Sequence, residues 1–591
     1  MIASKSHSFD LVIRGGTVAD GTGSTLWDGD IAIRGDTIVA TGSFSGTGRE
    51  EIDARDKLVT PGFVDIHTHY DAQATWDTRF TPSTNHGVTS ILMGNCGVGF
   101  APCKAEMRAA MIDVMEGVED IPGIVMQEGL PWNWETFPQF MDALAMRHMD
   151  ADFAVAIPHI PVRVDVMGQR AIDREPSTFD DMDAMAHIVQ EGMTAGAFGF
   201  STTRVIGHRT GSGAQLPVTS ASEQELMAIA LAMKPFGKHL FMSASEFDTR
   251  QGFSSEFEML ARIAQTSGHT VTFPLLQYNE APNRWREIAS ACAAQRARGA
   301  DILGQVVARP VGVLLGLQLT LHPFRGCPSY DAVDHLPLAR RVKAMQEPEL
   351  KARILDELAA ARDRQEWPDF MYDVEQMFAI DVDPDYAPHK TYRFDRIAKR
   401  RSTSAADIAY DTMLERKGQG ILYLPLRNYT HGNLDVVRDM LKREETVLGL
   451  GDGGAHVGAI CDASMQTYML AYWTRDRARD RLSIPEVVRM MTRDTAQVAG
   501  LGDRGLILPR FKADLNIIDH DRLALSAPQV HHDLPSAGRR LSQQAHGYDA
   551  TIVSGIVTAR DDRPTGARPG RLLRHRRTVH APSPRPHPNE R

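Results

Sequence analysis

Apolar stretches of strand length alternate with helical patterns through most of this chain. Between residues 61 and 504, short apolar runs are followed by segments with the apolar spacing of helices, as in Glu223 to Met233 and Ile484 to Ala499. Strands that alternate with helices build a parallel sheet whose crossover connections are helical. The pattern therefore predicts a protein of the α/β class.

The apolar runs are one too many for an eight-stranded barrel, which is the commonest way to close such a sheet. Strands are predicted to start near Phe63, Thr89, Phe153, Ala197, His239, Thr270, Ile302, Gly420 and Val447. We therefore expect at least one of these runs to be no strand or to lie outside the barrel. Residues 322–415 are charged, helical in pattern and interrupted by prolines, and are too long for an ordinary loop. They are interpreted as an insertion over one face of the barrel.

Strand patterns appear again at both ends of the chain. They cover Leu11 to Gly16, Asp30 to Ala40, Ala513 to Asp519 and Ala550 to Thr558. We predict that residues 1–60 and 505–571 together form a small β domain beside a catalytic domain of residues 61–504. Residues 572–591 are basic and rich in proline, with little to bury, and are predicted to be disordered.

Composition narrows the functional classes. The chain has 591 residues, 42% of them hydrophobic and 24% charged, and its formal net charge of −10 gives no indication of nucleic-acid binding. Its five cysteines are scattered without a C-x-x-C pair, which favours a reducing, cytoplasmic setting over a disulfide framework. No apolar stretch is long enough to suggest a membrane span. We expect a small-molecule substrate as partner, while self-association into a homo-oligomer stays open.

Two histidines close the first apolar strand of the alternating region. His67 and His69 follow Gly62-Phe63-Val64-Asp65-Ile66. Side chains two residues apart leave the same face of a strand, so both imidazoles can reach one metal ion. A histidine pair can also be a solvated or hydrogen-bonded strand end.

Two later turns offer partners for this pair. Asp452 follows the apolar run Thr446 to Leu450 among glycines, and Cys96 lies in a glycine-rich turn after the run starting at Thr89. Residues at the carboxyl ends of barrel strands converge on one site, so these side chains are expected to meet the histidines. Taken alone, Asp452 could cap a helix or make a turn, and Cys96 could be a small buried hydrophobe.

These segments resemble the amidohydrolase superfamily and, within it, the N-acyl-D-amino-acid deacylase branch. The resemblance rests on Pro61 to Asp71, on Gly94-Asn95-Cys96-Gly97 and on Gly451-Asp452-Gly453, and extends to about residue 571. It implies a metal-dependent (β/α)₈ TIM barrel with a small β-sandwich domain formed by both termini. It also implies metal ligation by His67, His69 and Cys96, and we expect Asp452 to join them as a ligand. In the family the aspartate accepts a proton from metal-activated water and returns it to the leaving nitrogen.

The chain departs from the family pattern at two strand ends. The family has two further histidine ligands where this chain reads Met242-Ser243-Ala244-Ser245-Glu246 and Phe273-Pro274-Leu275-Leu276-Gln277-Tyr278. The second stretch also lacks the lysine that the family uses for the substrate carboxylate. We therefore expect one ion rather than two. Histidine and thiolate ligands favour zinc, although iron, cobalt or manganese also suit such a site.

Weaker candidates for substrate binding are Arg204, His208, Arg309 and His456. An arginine is the natural partner of a substrate carboxylate because its planar fork binds both oxygens. His456 stands four residues after Asp452 and could polarise a carbonyl, hydrogen-bond the aspartate or contact a helix start. Solvated side chains are an equally ordinary interpretation of Arg204 and His208, which lie in a polar segment.

The leading hypothesis is a metal-dependent hydrolase of the C–N amide bond of an N-acyl amino acid or a related amide. Hydrolysis of a cyclic amide, imide or lactone would use the same attack on a carbonyl and stays open as an alternative. A metal-binding but inactive homologue is the third hypothesis, because two family ligands are missing. The retained aspartate favours an enzyme, since a structural metal needs no carboxylate to receive a proton.

Overall fold

The computed structural model describes residues 7–245, 247, 253–364 and 367–575. Its first strands form part of a mixed sheet: β1 (Phe9–Val18), β2 (Trp27–Arg34), β3 (Thr37–Gly42), β4 (Gly48–Asp53) and β5 (Leu58–Pro61). The turn Gly35-Asp36 joins β2 to β3, and Gly35 adopts a positive φ of 58° there. The strand pattern predicted for this part of the chain is confirmed.

Parallel strands follow, each ended by a loop that leads into helices. They are β6 (Phe63–Thr68), β7 (Val88–Met93), β8 (Asp152–Val155), β9 (Ile157–Pro158), β10 (Gly199–Thr203), β11 (Leu240–Ala244), β12 (Thr270–Pro274) and β13 (Ile302–Val306).

The region of the predicted insertion has its own small antiparallel sheet, formed by β14 (Val311–Leu315), β15 (Phe378–Ile380) and β16 (Ile421–Arg427). Since β14 and β16 lie outside residues 322–415, the inserted segment is wider than predicted and extends from β14 to β16. Strand β16 is the run predicted near Gly420, and it pairs with β14 and β15 rather than with the parallel strands. This is the run that lies outside the barrel. A separate apolar cluster that includes Phe324, Tyr330, Ile354 and Phe394 gives the insertion its own core.

Strand β17 (Thr446–Leu448) returns the chain to the parallel sheets, where it pairs with β13. The parallel pairing runs β6–β7–β8 in one sheet and β9–β10–β11–β12–β13–β17 in the other, and β8 and β9 are consecutive in the chain. An isolated parallel bridge joins Thr68, at the end of β6, to Gly453, just beyond β17. These strands and their helical crossovers form the (β/α)₈ fold, and their carboxyl ends face one side.

Helices connect the strands and cover the outside. The described helices are α1 (Gln73–Trp76), α2 (Arg108–Glu119), α3 (Gly123–Gly129), α4 (Phe137–Ala145), α5 (His159–Met167), α6 (Gln169–Ile172), α7 (Phe179–Thr194), α8 (Glu223–Met233), α9 (Ser254–Ser267), α10 (Arg284–Arg296), α11 (Pro328–Asp334), α12 (Leu338–Met345), α13 (Pro348–Asp363), α14 (Phe394–Arg401), α15 (Ala405–Gly418), α16 (Asp435–Leu441), α17 (Met465–Ala471), α18 (Ile484–Arg489) and α19 (Thr495–Val498).

The predicted helix Glu223 to Met233 is confirmed as α8, which begins where the Ser222 side chain accepts a hydrogen bond from the Glu225 amide. The second predicted helix is divided into α18 and α19 by a π-helical turn, Met490–Asp494. Among the described residues, no helix is both long and apolar enough to cross a membrane.

Four carboxyl-terminal strands complete the mixed sheet: β18 (Leu515–Ile518), β23 (Tyr548–Val553), β24 (Ile556–Arg560) and β25 (Arg563–Pro564). Between them, β19 (Ala524–Leu525) pairs with β22 (Ala545–His546), and β20 (Gln529–Leu534) pairs with β21 (Gly538–Ser542), in two separate two-stranded sheets. Antiparallel pairing of β18 with β5 joins the two ends of the chain in one sheet. Residues 572–575, at the start of the predicted disordered tail, make backbone hydrogen bonds to Phe153 and Gly196, and residues 576–591 lie outside the described residues.

Inward-facing side chains of the parallel strands fill the barrel interior. A buried cluster combines alternate residues of β6 with residues of β7 and β11 and with the residue just before β10: Val64, Ile66, Leu92, Leu240, Met242 and Phe198. Because the period along a strand is two, Asp65, the one residue between Val64 and Ile66, faces away from this cluster and accepts a hydrogen bond from Gln466 of α17. The packed interior gives the strand ends a fixed position.

A buried arginine connects the barrel to the terminal sheet through ion pairs and a hydrogen bond. Arg504 Nη1 donates to Ser90 of β7 at 2.8 Å and forms ion pairs with Asp152 of β8 at 2.9 Å and with Asp514, next to β18, at 3.3 Å. All three ionic side chains are 2% exposed. This cation therefore compensates two buried carboxylates at the junction.

We expect Arg504→Met to lower the free energy of unfolding by about 3–5 kcal/mol, because it leaves two carboxylates buried without their cation. The measurement is urea unfolding of the purified variant and the wild type. Arg510→Met is the matched control, since Arg510 is an exposed arginine of the same connection. An equal shift in both variants would contradict the structural role of Arg504.

Candidate metal centre

Strand β6 delivers both histidines to the carboxyl side of the barrel. His67 and His69 are buried, and their rings are 5.4 Å apart between centroids. The backbone of the β17 loop is hydrogen-bonded to the same segment: the Asp452 amide donates to the His67 carbonyl and the His69 amide to the Gly453 carbonyl. These bonds bring Asp452 to the histidine pair.

The loop conformation at Asp452 is strained. Asp452 has a positive φ of 48°, which is uncommon for a residue with a side chain. The preceding residue has to be glycine, because a Cβ on Gly451 would lie 2.0 Å from a carboxyl oxygen of Asp65. Strain of this kind concentrates at functional sites.

Cys96 reaches the site from the glycine-rich turn after β7. It too has a positive φ, 52°, and a Cβ on Gly94 would lie 2.4 Å from the Ala156 carbonyl oxygen. The Cys96 Sγ atom lies 3.5 Å from His67 Nε2. The turn therefore presents the sulfur to the histidine pair, and its glycine allows the backbone to pass close to the strand beside it.

Three ligand atoms converge at this point, and the Asp452 carboxylate lies beside two of them. Asp452 Oδ1 lies 3.4 Å from His67 Nε2 and 3.5 Å from His69 Nε2. Ligand atoms of His67, His69 and Cys96 all lie within 4.8 Å of one another, and within the described part of the chain these residues are the one such group of histidine, cysteine or acidic side chains. Two imidazoles, a thiol and a carboxylate are a donor set that suits zinc.

A hydrogen-bonded layer orients His67. Its Nδ1 atom lies 2.8 Å from Gln305 Oε1, while Gln305 Nε2 donates to Thr272 at 3.0 Å. Since the amide nitrogen of Gln305 is already used, its oxygen accepts from the Nδ1–H of His67. This tautomer directs the lone pair of Nε2 toward Cys96 and Asp452, as metal ligation requires.

The four groups shift one another's protonation. Burial alone would raise the pKa of Asp452, but a hydrogen bond from His69 and the charge of His67 hold it well below its usual range. Burial likewise opposes the thiolate of Cys96, yet His67 outweighs it and lowers the pKa of the thiol. Burial lowers the pKa of His67, while Cys96 and Asp452 raise it to about 9. The anionic sulfur and oxygen favour a cation, whereas both imidazoles must be neutral to ligate one, so metal binding would release the proton that the raised pKa keeps on His67.

A cavity of about 570 Å³ opens above the four ligands. Its wall is largely apolar, with Val118, Val205, Ile206, Pro274, Leu276 and Leu426. The polar side chains on its wall include Glu119, Ser245, His208, Arg427 and His456. An apolar cavity with a few convergent polar groups is typical of a small-molecule site.

The predicted substrate contacts divide into two groups. His208 and His456 line the cavity. Arg204 instead forms an ion pair with Glu256 at 2.7 Å, and Arg309 is buried against Asp462 at 3.0 Å with its guanidinium over the Tyr386 ring. Neither arginine is among the residues that line the cavity, so the structure does not bring them to the four ligands.

The two strand ends that lack the family histidines also reach the cavity. Ser243 and Ser245, at the end of β11, share a hydrogen bond of 2.9 Å. Pro274 and Leu276, at the end of β12, lie in the cavity wall. The described cavity residues at these ends therefore carry hydroxyl or apolar groups, which do not replace imidazole as zinc ligands.

Three cavity or ligand-orienting residues escaped the sequence analysis: Glu119, Gln305 and Arg427. Glu119 is the last residue of an ordinary helix, and Arg427 is the last residue of an insertion strand. Nothing in the sequence around either position therefore indicates a functional side chain. A signal was present for Gln305, because it is the polar residue inside the apolar strand Ile302–Val306.

The parallel barrel and its converging histidine, cysteine and aspartate ligands define a metal-binding α/β-barrel protein. The chain belongs to the Amidohydrolase family, whose sequence pattern matches residues 50–559. It is 25% identical to a D-aminoacylase from Alcaligenes xylosoxydans xylosoxydans over 584 residues, which cover 97% of this chain and 99% of the relative. An N-acyl-D-glutamate deacylase from the same organism is 25% identical over 578 residues, covering 96% and 97%.

Solved structures show the same fold. The crystal structure of D-aminoacylase that defines a novel subset of amidohydrolases aligns with a TM-score of 0.63 at 21% identity, over 96% of this chain and 100% of the other. N-acyl-D-glutamate deacylase from Bordetella bronchiseptica, complexed with zinc and a phosphonate inhibitor, aligns with a TM-score of 0.63 at 20% identity, covering 96% and 99%. These likenesses confirm the predicted α/β-barrel fold.

Proposed function

We propose that this protein hydrolyses the C–N amide bond of an N-acyl amino acid or a closely related amide. The observation that carries the proposal is the group of His67, His69 and Cys96, with Asp452 beside both histidines, beneath an apolar cavity. The D-aminoacylase and N-acyl-D-glutamate deacylase relatives, which match nearly the whole chain, support it.

One divalent ion would be held by His67 Nε2, His69 Nε2, Cys96 Sγ and Asp452 Oδ1. The hydrogen bond that directs His67 Nε2 inward and the low pKa of the Cys96 thiol both fit this role. A single ion agrees with the absence of imidazole at the described ends of β11 and β12. When bound, the ion supplies Lewis acidity, which polarises a carbonyl and lowers the pKa of water.

Asp452 is the proton carrier in this proposal. Its side chain is 19% exposed at the cavity floor, and His67 and His69 keep it ionised. The carboxylate accepts a proton from the attacking water and then donates it to the amide nitrogen as the C–N bond breaks. The Asp452 carboxylate therefore regains its negative charge at the end of each catalytic cycle.

The substrate side of the cavity combines apolar surface with one guanidinium. Val118, Pro274 and Leu276 provide contacts for an apolar acyl group. Arg427, at the end of β16, lies over the Tyr278 ring at 4.8 Å and also lines the cavity. A guanidinium has five N–H donors, so it can bind a substrate carboxylate while it keeps other contacts.

The deciding experiment is a hydrolysis panel with the zinc-loaded protein. It contains N-acyl amino acids of both configurations, the matching N-acyl amines without a carboxylate, and cyclic amides and lactones. Release of free amine from the acyl amides, followed by mass spectrometry, is the expected result. Turnover of ring substrates alone would replace the proposal by ring opening, and no turnover despite bound metal would indicate an inactive homologue.

Arg427→Met is expected to raise KM for an N-acyl amino acid by about 10- to 100-fold. The reason is that a hydrogen bond to a charged group contributes about 1.5–3 kcal/mol. KM for the matching N-acyl amine should stay within about twofold. Arg353→Met, an exposed arginine of the same insertion, is the control. Equal effects on charged and neutral substrates would remove Arg427 from carboxylate recognition.

A further inference from the structure

Glu119 carries a buried carboxylate that the proposed reaction does not use. It is the last residue of α2, lines the cavity and has a side chain only 1% exposed. Neither carboxyl oxygen has a hydrogen-bond partner among the described residues. Burial of an unpaired carboxylate is strongly unfavourable, so this position calls for a partner that compensates it.

The neighbours of Glu119 are two imidazoles. Its Oε1 lies 3.1 Å from His69 Nδ1, at hydrogen-bond distance but not aligned as a hydrogen bond. Its Oε2 lies 3.8 Å from Nε2 of His456, whose side chain is 29% exposed to the cavity. One carboxylate therefore stands between a candidate metal ligand and a histidine of the cavity wall.

The backbone that presents Glu119 is fixed independently of its side chain. The next residue, Asp120, has a positive φ of 54° and ends α2. Its two carboxyl oxygens accept from the Thr320 hydroxyl at 3.0 Å and from the Gly458 amide at 3.1 Å. Asp120 thus links the end of the helix by hydrogen bonds to the loop that contains His456. A change of the Glu119 side chain leaves these hydrogen bonds intact.

We propose that Glu119 is a positioning residue that orients His69 for metal binding and holds His456 at the cavity wall. When His69 Nε2 ligates the ion, its ring proton resides on Nδ1 and faces Glu119 Oε1. A small rotation then makes this contact a charge-assisted hydrogen bond, which gives the buried carboxylate its compensation. The second oxygen keeps His456 on the cavity side, where substrate binds. The inference about His456 rests on the proposed function, and the inference about His69 does not.

The first test is metal affinity, which needs no turnover. Glu119→Gln keeps the size and one acceptor oxygen but removes the charge, so we expect the zinc dissociation constant, measured by chelator competition, to rise about 10- to 100-fold. The visible absorption of the cobalt-loaded variant should also change, because the ligand field of His69 changes. Glu116→Gln, an exposed acid one turn earlier in α2, should match the wild type in both measurements.

The second test separates positioning from a structural role. Because Glu119→Gln removes a buried charge, the metal-free variant should unfold at the same temperature as the metal-free wild type or higher. A structural role predicts the opposite, a loss of stability with an unchanged cobalt spectrum. Wild-type metal affinity and spectrum in Glu119→Gln, or a wild type that binds no ion, would overturn the inference.

The His456 part is tested by His456→Gln on an amide that the wild type hydrolyses. We expect zinc affinity to stay within about threefold and kcat/KM to fall at least about tenfold. Unchanged kcat/KM would overturn the role of His456. If the wild type binds zinc but hydrolyses no amide, the proposed function fails. The role of Glu119 in positioning His69 is still decided in that case by the affinity, spectrum and stability measurements.

Discussion

Asp452→Asn is expected to lower kcat for an N-acyl amino acid by about 10²- to 10⁴-fold while the protein keeps its metal. An asparagine has nearly the same size and retains an oxygen that can face His67 and His69, but it cannot accept a proton. The expected loss is that of general acid–base catalysis, with little change in ligand geometry. The measurements are kcat and metal content on the same preparation.

Asp521→Asn serves as control, because Asp521 is an exposed aspartate of the terminal β domain. If Asp452→Asn retains near-normal kcat, Asp452 is not the proton carrier. If the variant loses both metal and activity, the carboxylate acts mainly as a ligand, and zinc added in excess should then restore turnover. The two results distinguish the two roles that the geometry gives to this side chain.

The barrel could be predicted because each strand and the helix that follows it are specified by residues that lie close together in the sequence. An apolar run of strand length followed by a helical pattern specifies one strand and its crossover, and the helix from Glu223 to Met233 has the predicted bounds. The run near Gly420 has the same local appearance but pairs with two strands of the insertion. Tertiary contacts determine which strands pair, and the residues of a single apolar run do not show those contacts.

The meeting of the four candidate ligands could be predicted for a similar reason. His67 lies at the end of β6 and the other three residues each follow a strand, and carboxyl ends of parallel strands share one side of a barrel. Side chains that act through long-range contacts could not be found in this way. Arg309 lies near a strand end, yet its guanidinium is directed to Asp462, which is 153 positions further along the chain. Glu119 is brought to His69 by a helix end whose position depends on Thr320 and Gly458.

His67→Asn is expected to lose the ion and with it all measurable amide hydrolysis. His67 is held by Gln305 so that Nε2 faces both Cys96 and Asp452, and it is central to the four-ligand group. Removing a direct ligand should weaken zinc binding by more than about 100-fold, beyond the 10- to 100-fold effect of an outer contact. The measurement is elemental mass spectrometry of purified wild type and variant, with His148→Asn, an exposed histidine, as control.

The metal content of the wild type also tests the number of ions. We expect about one zinc per chain, since the four candidate ligands serve a single ion, which can expand its coordination to admit a water. Serine, proline and leucine at the ends of β11 and β12 provide no second set of imidazoles. Two zinc ions per chain would require a ligand beyond the four residues of the centre. If His67→Asn retained a full equivalent of zinc, the ion would lie elsewhere, and both the proposed ligand set and the proposed reaction would fail together.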